Sequence, residues 1–266
     1  MDVNIGISGI PASSKGHDTL EGIRRIKELG LGLMEIQFVR NIYLNLDSAK
    51  DVGSLAKKLR VELTCHASYY INLASVRDEV QKASIGRLVD TLKIAEALGS
   101  RLMVVHAGFY SQRPKDEAFS LIKANIDEVY RQYPSKVMFG AETMGKQKSF
   151  GSTDEIVSLC KACDNVCPVI DFGHIHARTF GGIKDKEDYT SVFERLENEL
   201  DLKRFHIHMS CMRHANGNEI SHLPLSAKDP DFRFMADSIR ENGYSCSVVC
   251  ESPLLEHDAL LFKSWL

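Results

Sequence analysis

Six apolar runs in this chain end in a side chain that can hold a metal or move a proton. His66 closes LTCH, His106 closes MVVH, Glu142 closes FGAE, Asp171 with His174 ends VIDFGH, His206 lies in FHIHMS and Glu251 ends VVCE. Apolar runs of this length, bounded by turn residues, read as buried strands, so each group stands where a strand stops. Imidazoles and carboxylates gathered from several strand ends are the ligand set for zinc or manganese, and a carboxylate can bridge two ions. A single histidine so placed is more often a buried, hydrogen-bonded side chain than a ligand. Six strand ends in succession reverse that weighting.

The elements that must position these groups alternate along the chain. VNIGISG, from Val3, is a first strand, and Asp18 with Glu21 opens a helix from Asp18 to Leu29 that closes at Gly30. LMEIQF from Leu33 is the second strand, a helix runs from Asp47 to Leu59, and VELTCHA from Val61 is the third strand. The segment Arg77 to Leu98 carries Ile85, Leu88, Leu92 and Ala95 at helical spacing before Gly99, and RLMVVHA from Arg101 is the fourth strand. Pro114 starts the next helix, KVMFGAET from Lys136 is the fifth strand, and Ser152 with Glu155 forms a capping box for a short helix ending near Cys163. CPVIDFG from Cys167 is the sixth strand, followed by a helix from Asp188 to Leu200 and the seventh strand KRFHIHMS. A helix from Asp231 to Glu241, the eighth strand CSVVCES and a helix from Leu254 to Leu266 complete the chain. Non-alternating apolar strands, each followed by an amphipathic helix, imply parallel pairing covered by helices. Eight such units predict an α/β fold, a (β/α)8 TIM barrel forming a single domain over residues 1–266, with a doubly wound open sheet as the alternative. In such a barrel the strand ends would share one bowl.

The composition suits this fold. With 266 residues, 44 % hydrophobic and 26 % charged, the chain can bury a large core and is not disordered. The N-terminus lacks the pattern of a signal peptide and no run approaches a membrane span, which places the expected protein in the cytoplasm, with no membrane partner. Seven cysteines in apolar segments suit buried reduced thiols better than a disulfide framework. The net charge of -3 weighs against a strongly basic nucleic-acid binder, although bound divalent cations would reverse the local sign.

The same residues carry a resemblance. HASYYINL, VVHAG, AETMGKQKSFG, IDFGHIHA, HIHMS and CESP resemble, in order and spacing, the endonuclease IV family of metal-dependent apurinic/apyrimidinic endonucleases, within the xylose-isomerase-like barrels. The resemblance spans nearly the whole barrel from the third strand onward. It implies that His66 and His106 bind one zinc, that Glu142 bridges two ions, and that Asp171, His174, His206 and Glu251 are further ligands. The family's third zinc uses a DxH pair after the seventh strand, where this chain reads NGNEISHLPL and offers Glu219 and His222. HIHMS also carries His208 and Met209 where the family has Asn and Asp. Because His206 and His208 are two residues apart on one strand face, either could be the ligand. Motif position favours His206, leaving His208 beside the ligands or facing substrate. Tyr69 and Asn72 match family residues that face the DNA minor groove, although Tyr69 could equally pack the rim of the barrel. FVRNIYL supplies Arg40, Asn41 and Tyr43 where the family probes a distorted duplex.

His176, His214 and His257 have no such placement and read as surface or helical residues. Cys160, Cys163 and Cys167 read as packing, and FGGIKDK as a mobile turn rather than a phosphate loop. The resemblance implies a monomeric phosphodiesterase with two or three Zn2+ ions, or Mn2+, that cuts DNA 5′ to abasic sites. The metals would activate water and stabilise the departing 3′ oxygen, with Glu142 and Glu251 at the catalytic centre. A sugar isomerase or epimerase is the alternative, since Glu142, Asp171, His206 and Glu251 would satisfy a single metal. The surplus histidines separate these two readings. A non-catalytic relative is disfavoured, because charged groups crowded without an ion are costly.

Overall fold

A computed structural model describes every residue of the chain except His17. Eight strands close into a parallel barrel in the order β1 (Val3–Ser8), β10 (Cys246–Cys250), β7 (Phe205–Met209), β6 (Val166–Asp171), β5 (Met138–Glu142), β4 (Leu102–Val105), β3 (Glu62–His66) and β2 (Leu33–Gln37). The expected TIM barrel is thus the observed fold. β4 and β10 are buried at every position, which is why their sequences are apolar without alternation. By contact clustering the chain divides into two compact units, Met1–Met34 with Thr143–Gln147 and Val169–Leu266, and Glu35–Glu142 with Lys148–Pro168.

In the first unit, β10 pairs with β1 on one side and β7 on the other, and β7 pairs with β6. An aromatic cluster packs behind them. Phe172 stacks against Tyr189 and Phe193, and Phe193 against Phe205 and Tyr244, with centroids 4.7–5.4 Å apart. Tyr189 and Phe193 come from α7 (Lys186–Leu200) and Tyr244 follows α8 (Phe232–Asn242). α7 begins two residues before the predicted Asp188, because Asp185 is the cap and Asp188 its capping-box partner. The last helix, α9 (Glu256–Lys263), is shorter than predicted. Leu255, at φ 44°, lies just before it.

Glu256 at the start of α9 fixes the loop after β1. It is 1 % exposed and accepts from the backbone N–H groups of Ala12 and Ser13 at 3.0 and 2.8 Å. Burial alone would raise its pKa, but these N–H donors outweigh burial and lower it. A carboxyl depressed in the folded state stabilises the fold above its unfolded pKa, and that contribution is lost as pH falls through the folded value. Glu256→Gln is therefore expected to cost about 1–3 kcal/mol at pH 7 in urea melts. The difference from wild type should shrink below about pH 4, where unfolded glutamate takes up its proton.

In the second unit, β4 pairs with β3 and β5, while α3 (Asp78–Leu98) packs between α2 (Leu46–Leu59) and α4 (Lys115–Gln132). Gly53 lets α2 approach the end of α3, since a Cβ there would meet the Leu98 carbonyl oxygen at 2.6 Å. α5 (Thr153–Ala162) carries the capping box expected of Ser152 and Glu155. α1 (Thr19–Glu28), in the first unit, is capped by Asp18, which accepts from Glu21 N–H at 2.9 Å.

Two elements of the first unit that bear on the site were not predicted. A short helix, α6 (Phe172–Arg178), follows β6 at once, with Asp171 as its cap. A hairpin of β8 (Cys211–Ala215) and β9 (Asn218–Leu223) follows β7. All seven cysteines are unpaired. Burial pushes the Cys211 thiol up to about 11 and the Cys246 thiol up to about 12, values at which neither ionises near neutrality. Among the described residues no helix is long and apolar enough to cross a membrane.

Candidate metal centre

In the second unit three expected ligands meet. His66 is the last residue of β3, Glu142 the last of β5, and His106 follows β4 directly. His66 Nδ1 lies 2.8 Å from the carbonyl oxygen of Ala67, so that nitrogen carries the proton and Nε2 keeps its lone pair. Both Nε2 atoms are aimed at one oxygen, Glu142 Oε2, at 3.2 Å from His66 and 2.9 Å from His106. His66 and Glu142 are 3 % and 1 % exposed. Two imidazole nitrogens and a carboxylate oxygen in a buried cluster fit zinc, with a fourth position left for water or substrate.

In the first unit, Asp171 ends β6 and turns the chain into α6. Its Oδ1 accepts from His174 N–H at 2.7 Å, which explains why a helix can start there. His174 Nδ1 lies 2.9 Å from the Thr143 carbonyl oxygen, so its Nε2 is again the presented atom, 2.9 Å from Glu219 Oε2. Lys146 holds the other Glu219 oxygen at 3.1 Å. Burial would raise the Glu219 pKa, but His174 and Lys146 outweigh it and hold the carboxyl well below the usual range. Gly145 makes room for this contact, because a Cβ there would meet Glu219 Oε2 at 2.3 Å. His222 places Nδ1 3.0 Å from the Glu251 carbonyl oxygen, and its ring centre is 6.1 Å from that of His174. His174, Glu219 and His222 thus lie together although the sequence spacing departs from DxH.

The strand register separates His206 from His208. Asp171 is opposite His208, and Val169 opposite His206. His208 is fully buried, its Nδ1 is 3.6 Å from Glu251 Oε2, and Asp171, His208 and Glu251 offer ligand atoms within 4.8 Å of one another. His206 sits two residues, about 7 Å, further down the strand. Of the two histidines, His208 is the one level with Asp171.

Tyr69 is 54 % exposed, with its ring 5.9 Å from His66 and 5.5 Å from His106. Arg40 and Asn41 are exposed, and Tyr43 packs on Phe38. Asn72 is held by its neighbours. Its amide donates to Ser111 Oγ and accepts from the N–H groups of Phe109 and Ala74, so it also pins neighbouring loops together. Sequence reasoning also passed over exposed aromatics nearby in the same unit, Tyr70 with Arg87 above its ring and Phe109 with Lys148 above its ring. His257 and His176 are both helical, the first exposed and the second buried in α6, and His214 lies on β8.

Comparison with known proteins adds the following. A family model described as xylose isomerase-like TIM barrel matches residues 23–263. An uncharacterized protein of Methanocaldococcus jannaschii is 35 % identical over 96 % of this chain and 94 % of its own. A probable endonuclease 4 of Sulfurihydrogenibium is 34 % identical over half of each chain. Among solved structures, endonuclease IV from Thermus thermophilus superposes with a TM-score of 0.76 at 19 % identity, covering 97 % of this chain and 98 % of that one. A D-tagatose 3-epimerase-like protein gives 0.72 at 22 % identity, covering 99 % and 95 %. At these identities both superpositions speak to the fold alone.

Proposed function

Because the chain belongs to the xylose isomerase-like TIM-barrel family, we propose that it is a zinc-dependent endonuclease that hydrolyses the phosphodiester 5′ to abasic sites in DNA. The supporting observation is the surplus of oriented imidazoles. His66, His174 and His222 each have Nδ1 against a backbone carbonyl and so present Nε2. An isomerase working with one metal needs none of the three. The partial match to a probable endonuclease 4 favours the same reading.

In this reading His66, His106 and Glu142 hold one zinc, Asp171, His208 and Glu251 hold another, and His174, Glu219 and His222 a third, with manganese as a substitute. Bound there, the ions would supply Lewis acidity and lower the pKa of water. The chain's own part is to fix the tautomers, exclude solvent from the buried ligand atoms, and offer Tyr69 and Arg40 to the nucleic acid. Tyr69→Ala is expected to weaken binding of an abasic duplex by about 1–3 kcal/mol, a rise in Kd of roughly 5- to 150-fold by fluorescence anisotropy.

The test is incision of a duplex bearing one abasic site, with and without chelator. Cleavage that disappears with chelator and returns with zinc is the expected result. A second reading, a single-metal sugar epimerase, is favoured by the set Asp171, His208 and Glu251, which suffices for one ion. One bound ion per chain, ketose epimerisation and no incision would establish it instead.

A further inference from the structure

A further cluster of metal-binding type stands apart from these ligand sets. His176 on α6, His214 on β8 and Asp229 before α8 place ligand atoms within 4.8 Å of one another. His176 is 4 % exposed and its Nδ1 is 2.9 Å from the Ile183 carbonyl oxygen. This is the arrangement found at His66, His174 and His222, and it leaves Nε2 as a bare acceptor. That acceptor faces another, Asp229 Oδ1, at 2.8 Å. Two acceptors this close need a cation between them, a proton or a metal.

The surroundings favour the metal. A second imidazole, His214, has Nε2 4.0 Å from Asp229 Oδ2, with the two rings 5.0 Å apart and nearly perpendicular. One divalent ion satisfies all three side chains.

We propose that His176, His214 and Asp229 form a further metal site for a zinc-class divalent cation. Two imidazoles and one carboxylate suit zinc, nickel or copper rather than calcium or magnesium. Zinc bonds of about 2.0 Å in tetrahedral geometry separate ligand atoms by about 3.3 Å. Asp229, with its side chain 57 % exposed, has room to open from 2.8 Å to that spacing. His214, 20 % exposed, gives an ion a path from solvent.

The site would be structural. His214 is paired across the hairpin with Glu219, and His176 is two residues beyond His174 on α6. The ion would therefore run beside the contact of His174 with Glu219, tying the same helix to the same hairpin and fixing where the hairpin ligands lie.

The experiment is zinc stoichiometry on the full chain, stripped with chelator, dialysed to equilibrium against zinc and measured by elemental analysis. His214→Ala and Asp229→Asn are each expected to bind one ion fewer than wild type. The same difference of one ion should appear when His214→Ala is added to His222→Ala. Asp229→Asn keeps the side-chain volume and reads the site even if the alanine change disturbs the hairpin. Equal zinc content in wild type and both variants overturns the proposal. So does a loss that vanishes in the His222→Ala background, because the ion would then belong to the His174, Glu219 and His222 set. Neither outcome depends on whether abasic DNA is cleaved.

Discussion

Replacing Glu142 by Gln is expected to lower incision of abasic DNA by between about two and four powers of ten while leaving the fold intact. The carboxylate oxygen is where both His66 and His106 aim Nε2, inside a cluster from which solvent is nearly excluded. An amide there has the same size and no charge. Removing one partner of a buried charged set typically costs about 3–5 kcal/mol, and each 1.36 kcal/mol is about tenfold in rate. Zinc content should fall with activity, and the far-ultraviolet circular dichroism should not change. Wild-type turnover by the variant would remove Glu142 from the chemistry.

The second large effect distinguishes two histidines that sequence could not. His208→Ala is expected to cost about as much as Glu142→Gln and to release an ion, whereas His206→Ala should cost less than about tenfold. His208 is level with Asp171 and close to Glu251, and His206 is not. Single-turnover incision and metal content of the two variants decide between them. The opposite ranking would assign the ligand role to His206.

This pair also marks where sequence reading stops. Alternation along β7 puts both imidazoles on one face, but the depth of each is set by the register against β6, and register is a property of two strands. The barrel itself was legible because strands such as β4 and β10 are apolar on both faces and several helices carry a start signal. Asp18 and the Ser152 with Glu155 box cap where the sequence places them. α6 was missed because seven residues are too few for a periodicity, and its cap, Asp171, had already been read as a strand end. The hairpin did carry a signal. Asn216 and Gly217 both take positive φ, 51° and 72°, as an Asn-Gly hairpin turn requires. A repeat of strand and helix leaves no place for an antiparallel pair, so this signal falls outside the pattern. Asn72 shows a different limit: its motif position was plain, but only the fold reveals that Ser111 and Phe109 occupy its amide.

The hairpin has a consequence for descent. Glu219 and His222 lie on a two-stranded ribbon that forms no part of the closed strand order. Barrel strands are constrained by two neighbours each, so a ligand there cannot be moved without disturbing the cylinder. A self-paired ribbon can be lengthened, exchanged or lost in one step. One ancestral barrel could in this way yield descendants that differ in how many ions they hold, and hence in the chemistry they catalyse, while every strand of the cylinder stays in register.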